Sequence, residues 1–123
     1  MVANEPFSRV HETGEHLVGV KGYFFVDATS DDMLVAIRFH FDSDIVVIAV
    51  REDDSLAIFG TAWNCTEEGV VSRELSGIAP WNAAVTKPLL WSWRMINQQG
   101  YFDGVQLQFG ENVDDSIVQV QLI

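Results

Sequence analysis

The sequence predicts a mainly β, single-domain protein: a curled antiparallel sheet or small sandwich of about six to eight strands, with at most one or two short helices. Three observations lead to this prediction. Apolar residues alternate with a period of two over several stretches. Turn-forming clusters of Asp, Asn, Ser and Gly separate those stretches. The chain has 123 residues, a length typical of one domain, so we assign 1–123 to a single globular unit.

The first half of the chain is predicted to be an antiparallel meander over residues 16–59. In MLVAIRFHF, residues 33–41, five apolar side chains share one face, and the other face is mixed, with Arg38 and His40. The next stretch, IVVIAVR, is β-branched and apolar on both faces, which is typical of a central strand. The β-rich stretches of this half lie at 16–28, 33–41, 45–51 and 56–59.

Two segments give weaker patterns. Residues 60–87 contain scattered glycines and polar residues, so we predict mostly loop there, with a strand at 69–75. The segment 79–88 has a proline near each end and room for one helical turn. We expect an irregular segment at residues 1–14.

The last third is predicted to be a hairpin followed by a final strand. In LLWSWRMIN, Leu89, Trp91 and Trp93 alternate with residues of the opposite face. A helix is the alternative for 88–96, because apolar residues also recur there at helical spacing and a proline suits a first helical turn. The continuous alternation and the turn-like NQQG at 97–100 favour a strand. YFDGVQLQF and the C-terminal SIVQVQLI alternate in the same way.

The charge balance restricts the partners. Eighteen acidic residues face seven basic ones, giving a formal charge of −11. Such a surface repels phosphate backbones and anionic membranes, so we expect neither nucleic-acid nor membrane binding. The single cysteine, Cys65, forms no intrachain disulfide. The N-terminus lacks the pattern of a secretory signal, and the apolar runs are too short to span a bilayer. We therefore expect a cytoplasmic protein.

No catalytic, cofactor or metal motif stands out. HETGEH resembles a zinc-protease helix only superficially, because His11 and His16 are five residues apart, with Gly14 between them, whereas that motif needs histidines four apart. A polar loop is the simpler interpretation, and a two-histidine loop site with Glu12 or Glu15 is the alternative. Carboxylates beside Cys65 would raise its pKa, which argues against a reactive thiolate. No glycine-rich phosphate loop is present. We predict no catalytic set, no cofactor and no metal.

Acidic residues cluster in the predicted turns. Alternate turns of a meander lie at one end of the sheet, so two of these clusters should meet at one rim and form a negative surface. The residues of this predicted acidic rim are Asp27, Asp31, Asp32, Glu52, Asp53 and Asp54. No stretch matches the twelve-residue calcium loop, so ordinary solvated turns or a surface for a basic partner are the interpretations that we keep.

The hairpin carries the remaining candidate site. Pairing about the turn at 97–100 predicts Arg94 opposite Asp103, a cross-strand ion pair that would stabilise the hairpin. The alternative to this structural role is a small pocket at the same place. Its residues would be Trp91, Trp93, Arg94, Tyr101 and Asp103.

Three function hypotheses follow. The first is a non-enzymatic, acidic binding domain that engages a protein partner, and a basic partner fits the charge. In size and acidity the chain is similar to bacterial immunity proteins that neutralise toxins, but this similarity concerns bulk composition and assigns no residue. The second is a small-ligand-binding domain or enzyme that uses the hairpin pocket. The third is a homodimer formed through the C-terminal strand, if that strand lies at a sheet edge.

Overall fold

The computed structural model describes residues 5–26, 33–51, 55–60, 63, 68–110 and 118–122. Within these ranges the chain forms two short helices and eight strands. In chain order they are α1 (Glu5–Thr13), β1 (Leu17–Phe25), β2 (Met33–Phe41), β3 (Ile45–Val50), β4 (Leu56–Phe59), β5 (Val70–Glu74), α2 (Trp81–Ala84), β6 (Leu89–Ile96), β7 (Phe102–Phe109) and β8 (Val118–Leu122). The mainly β prediction is confirmed.

The strands form two antiparallel sheets. The first has the order β4-β3-β2-β1-β5, so the predicted meander is confirmed and β5 is added beside β1. The second has the order β6-β7-β8. Residues 89–96 are therefore a strand, as the alternation favoured, and the helical alternative is wrong. Among the described strands, β8 pairs with β7 alone, which places the C-terminal strand at an edge of the second sheet.

One hydrophobic core joins the two sheets and both helices. On β2 the predicted alternation is confirmed from Ile37 to Phe41, because Ile37, Phe39 and Phe41 are buried while Arg38 and His40 are only partly covered. It is wrong at the start of the strand, where Met33 is exposed and Ala36 is buried, because the pairing with β1 shifts at Val35. Phe39 lies at the centre, edge-on to Phe7 of α1 at 5.7 Å and to Trp81 of α2 at 5.5 Å between ring centroids. The fully buried large side chains of the described residues are Phe7, Phe39, Phe109, Leu17, Leu107, Val10, Val20, Val46, Val47 and Val105.

The N-terminal segment differs from the prediction. An irregular segment was expected at 1–14, but residues 5–13 form α1. Phe7 and Val10 stand three residues apart on one face of this helix and are fully buried. A nine-residue helix has little stability in water by itself, so packing against the core, which the local sequence does not reveal, stabilises it.

Polar contacts fasten the end of α1 to the turn between β2 and β3. The Glu15 side chain is only 8% exposed. Its Oε1 accepts a hydrogen bond from the Ser43 backbone N–H at 2.7 Å, and its Oε2 accepts one from the Thr13 hydroxyl at 3.0 Å. The backbone N–H of His16 donates to Asp42 Oδ2 at 2.9 Å. We call this group of contacts the α1 clamp.

An ion pair adds to the clamp. The Arg9 Nε donates to Asp44 Oδ2 at 3.0 Å, so that the helix itself, and not only the residues after it, is bonded to the turn at 42–44. This turn follows β2 of the first sheet. No helix of the described ranges combines the length and the apolar character needed to cross a membrane.

Candidate functional site

The outer face of the second sheet exposes aromatic side chains. Trp91 is 49% exposed and Trp93 is 42% exposed. They stand two residues apart on β6 and pair with Gln108 and Gln106 of β7, whereas the buried residues of β7 alternate with these glutamines. Tyr101, in the turn that ends the hairpin, is 50% exposed. We call Trp91, Trp93 and Tyr101 the aromatic patch.

A bulge near the start of β6 places the Trp rings outside. Alternation predicts that Leu89 and Trp91 share a face, yet Leu89 is buried in the core. The pairing shifts between them, since Leu89 pairs with Phe109 and Trp91 with Gln108, leaving Leu90 as an extra residue. One extra residue moves every later side chain to the other face, so the predicted common face is wrong at this point.

The predicted pairing of Arg94 with Asp103 is also wrong. Arg94 pairs with Val105, and the pairing shifts again at the end of β6, leaving Asp103 without a partner across the strand. The physical reason is the turn. Asn97 N donates to the Tyr101 carbonyl at 2.9 Å, and Gly100 adopts a positive φ of 90°, so three residues form the loop and a bulge follows.

The Asp103 carboxylate has a different hydrogen-bond donor. Its Oδ2 accepts from the Asn97 side-chain amide at 3.1 Å. The Asn97 Oδ1 in turn accepts from the backbone N–H groups of Gln99 and Tyr101, at 2.9 and 3.1 Å. Asp103 therefore belongs to the hydrogen-bonding of the turn. The Arg94 side chain lies outside the described part of the structure.

A cavity of about 220 Å³ lies where α1 meets β6. Its wall combines a carboxylate, two aromatic rings and two hydroxyls. The lining residues are Ser8, His11, Glu12, Leu90, Trp91 and Ser92. Ser8, His11 and Glu12 belong to neighbouring turns of the helix, which explains why they line one wall. Trp91 thus contributes both to the aromatic patch and to the cavity.

His11 is held in a defined orientation. Its ring stacks on that of Trp91 with 5.8 Å between centroids and 28° between planes. Its Nδ1 lies 3.2 Å from the Leu89 carbonyl oxygen, and a carbonyl only accepts, so Nδ1 carries the proton. The ring is thereby fixed against β6, and this donor is already used within the protein.

The structure brings together only part of the predicted site. Trp91 lines the cavity, whereas Trp93, Tyr101 and Asp103 are not among its lining residues. Ser8 is a lining residue that the sequence did not single out, and His11 and Glu12 were expected only as parts of a loop. The signal that was available was the spacing of Phe7 and Val10, which defines a helix face and places those three residues outside it.

The two-histidine loop site is not formed. His11 stacks on Trp91, while the His16 Nδ1 lies 3.5 Å from Asp42 Oδ2 at the α1 clamp. The described residues contain no group of three or more His, Cys, Asp or Glu side chains placed to hold a metal. The predicted acidic rim and Cys65 lie outside the described residues.

A second polar group covers the outer face of the first sheet. The Arg38 guanidinium carbon lies 5.6 Å from the centroid of the Tyr23 ring and 5.7 Å from that of Trp63, and its Nη2 donates to the Trp63 carbonyl at 3.0 Å. Burial, and then the charges of Arg38 and Lys21, lower the pKa of His40. These contacts hold the side chains to one another and to the sheet.

At the edge of that face, β5 adds an acidic side chain. The hydroxyl of Ser76 donates to the Glu74 carboxylate, and this hydrogen bond is the main reason that the pKa of Glu74 is lowered. Lys21 pairs with Glu74 across β1 and β5 and lowers that pKa further. The arrangement is that of a cross-strand polar network on an exposed strand.

These observations define the class of protein: a small antiparallel β domain of two sheets, with exposed tryptophans on one sheet and a cavity beside them. The particular family follows from comparison with known proteins. A family model described as a family of unknown function, DUF6334, matches residues 1–123, and the chain belongs to this family. No curated protein and no solved structure matches the chain.

Proposed function

We propose that this protein is a non-enzymatic binding domain that engages a basic protein partner through the aromatic patch. The observation that carries the proposal is the exposure of Trp91 and Trp93 on a regular strand. Tryptophan and tyrosine dominate the energetic centres of protein interfaces, because each buries a large apolar area and also offers a polar group.

The surroundings of the patch support a protein partner. Gln106 and Gln108 pair with the two tryptophans, so the neighbouring strand adds amides and no charge. Depletion of charge is typical of the centre of an interface, while charges occur around its rim. The net charge of −11 would attract a basic partner and disfavour acidic ones.

A site-specific photocrosslinker tests this proposal. Trp93 is replaced by p-benzoylphenylalanine in the native cell, and the control carries the same group at Val71, an exposed apolar residue of the other sheet. We expect one discrete adduct from position 93 that position 71 does not give. Mass spectrometry should identify a basic protein, and the association should weaken as salt is raised. Identical adducts from both positions, or an acidic partner, would contradict the proposal.

An immunity protein is one form that such a domain could take, since it neutralises a toxin by binding it. The size and acidity of the chain are the only support for this form. It predicts that the crosslinked partner is a toxin encoded by a neighbouring gene. A cytoplasmic location is part of the same proposal.

A second candidate function is the binding of a small ligand, and the cavity beside Trp91 favours it. Convergence of polar groups and an aromatic ring in a concave site is typical of ligand pockets. Of the pocket residues that the sequence suggested, Trp91 lines this cavity, and the described lining adds His11, Glu12, Leu90 and two serines.

A further inference from the structure

The cavity between α1 and β6 offers mainly hydrogen-bond acceptors and ring faces. The proton on His11 Nδ1 is donated to the Leu89 carbonyl. The Glu12 carboxylate, an acceptor, is exposed and makes no hydrogen bond or ion pair with any described residue. About half of the Trp91 surface is open. No Lys or Arg is among the lining residues that the structure describes.

From these contacts we infer that the cavity receives one arginine side chain of the protein partner, with its guanidinium against the ring of Trp91 and the carboxylate of Glu12. The inference rests on the proposed function, which supplies a basic partner. A guanidinium is planar, carries five donors and stacks on aromatic faces, so it satisfies the acceptors and the ring together. A lysine ammonium provides a point charge without the flat face.

The size of the cavity agrees with a single side chain. Pockets for cofactors and drug-sized ligands typically measure about 300 to 1,000 Å³. The volume here is about 220 Å³. Ser8 of the helix and Ser92 of the strand also line the cavity.

The experiment uses the full chain and small probes of defined charge. The ¹⁵N-labelled protein is titrated with N-acetyl-arginine amide, and the indole N–H signal of Trp91 is followed by NMR after assignment with Trp91→Phe. N-acetyl-citrulline amide, which has the same shape but no charge, is the matched ligand. We expect a saturable shift with the arginine probe. The affinity for the citrulline probe should be about four- to 25-fold lower, because loss of the charge removes both the exposed cation–π contact and the ion pair with Glu12, each worth about two- to five-fold.

Two matched variants test whether the Glu12 carboxylate contacts the bound guanidinium. Glu12→Gln should weaken arginine binding about two- to five-fold, as for loss of an exposed ion pair. Glu68→Gln removes the same charge at another exposed position and should leave the affinity unchanged. Equal binding of the two probes, an absent Trp91 shift, or Glu12→Gln and Glu68→Gln behaving alike would overturn the inference.

The two proposals fail in different ways. If the Trp91 signal ignores the arginine probe while position 93 still gives its partner adduct, the cavity inference is wrong and the binding function stands. If the probe binds as expected and no partner adduct forms, the cavity recognises a cation but the protein-binding proposal is wrong. Glu12 is exposed, so its substitution leaves the fold available for both measurements.

Discussion

Substitution of Glu15 by alanine should destabilise the protein by about 1 to 3 kcal/mol, the range for losing a part-buried hydrogen bond to a charged acceptor. The group left unpaired is the backbone N–H of Ser43, which donates to Glu15 Oε1 at 2.7 Å. The Thr13 hydroxyl loses less, because the carbonyls of Arg9 and Val10 also lie within hydrogen-bond distance, at 3.1 and 3.2 Å. The expected loss therefore comes mainly from one bond between α1 and the β2–β3 turn.

Thermal unfolding followed by circular dichroism measures this loss. For a chain of this length each kcal/mol lowers Tm by about 4 °C, so Glu15→Ala should melt about 4 to 12 °C below the parent. Glu15→Gln keeps a carbonyl oxygen for the Ser43 N–H and should lose under about 1 kcal/mol. Glu68→Ala, at an exposed position, should stay within about 0.5 kcal/mol. If Glu15→Ala melted with the parent, or Glu15→Gln fell as far as Glu15→Ala, the reasoning would fail.

Three further predictions follow. In urea unfolding, Asn97→Ala should lower the free energy of unfolding by about 0.5 to 2 kcal/mol, because Asn97 Oδ1 accepts two backbone hydrogen bonds of the turn. Asp103→Ala loses one exposed hydrogen bond and should cost under about 0.5 kcal/mol, so equal costs would contradict this assignment. NMR titration should give His40 a pKa below its ordinary 6.5, and a pKa at or above 6.5 would refute the stated burial effect. Because protonation then favours the unfolded chain, the free energy of unfolding should fall as the pH drops below 6.5, and it should fall less in His40→Gln. Light scattering should detect a dimer through the edge strand β8 at high concentration, and a clean monomer would exclude it.

The strands were predictable because their burial pattern is local. In β2, side chains two residues apart share an environment, so the alternation of Ile37, Phe39 and Phe41 with Arg38 and His40 directly reports which face packs on the core. The same reasoning identified β6 as a strand, although helical spacing was also present. The order β4-β3-β2-β1 followed from short connections, since neighbouring strands joined in this way pair in sequence, whereas the place of β5 beside β1 did not follow.

Register was not predictable from alternation alone. Each bulge in the β6–β7 hairpin adds one residue to one strand, at Leu90 and at Asp103. The amino-acid types at these two positions do not predict a bulge. The first bulge is the reason that the tryptophans face outward while Leu89 stays in the core. The second separates Arg94 from Asp103. Conclusions about which face a strand residue occupies therefore hold only between bulges.

The cavity was less predictable still, because it joins segments about 80 positions apart in the chain. Residues of HETGEH take part in two different structures: His11 and Glu12 line the cavity, while Glu15 and His16 belong to the α1 clamp. A metal-like pattern in the sequence thus serves the attachment of a helix and the wall of a cavity. Only the position of α1 on the core reveals this division.

The division also makes the proposed site depend on contacts outside it. One wall of the cavity is α1, and bonds to the turn at 42–44 of the other sheet hold this helix in addition to its buried face. The other wall is β6, where the bulge at Leu90 turns Trp91 outward toward His11. Loss of the α1 clamp would change the position of α1 but make no direct change to β6. The affinity of the cavity for a cation should therefore respond to changes in the clamp, which contacts no bound group, because the distance between Glu12 and Trp91 depends on where the helix lies.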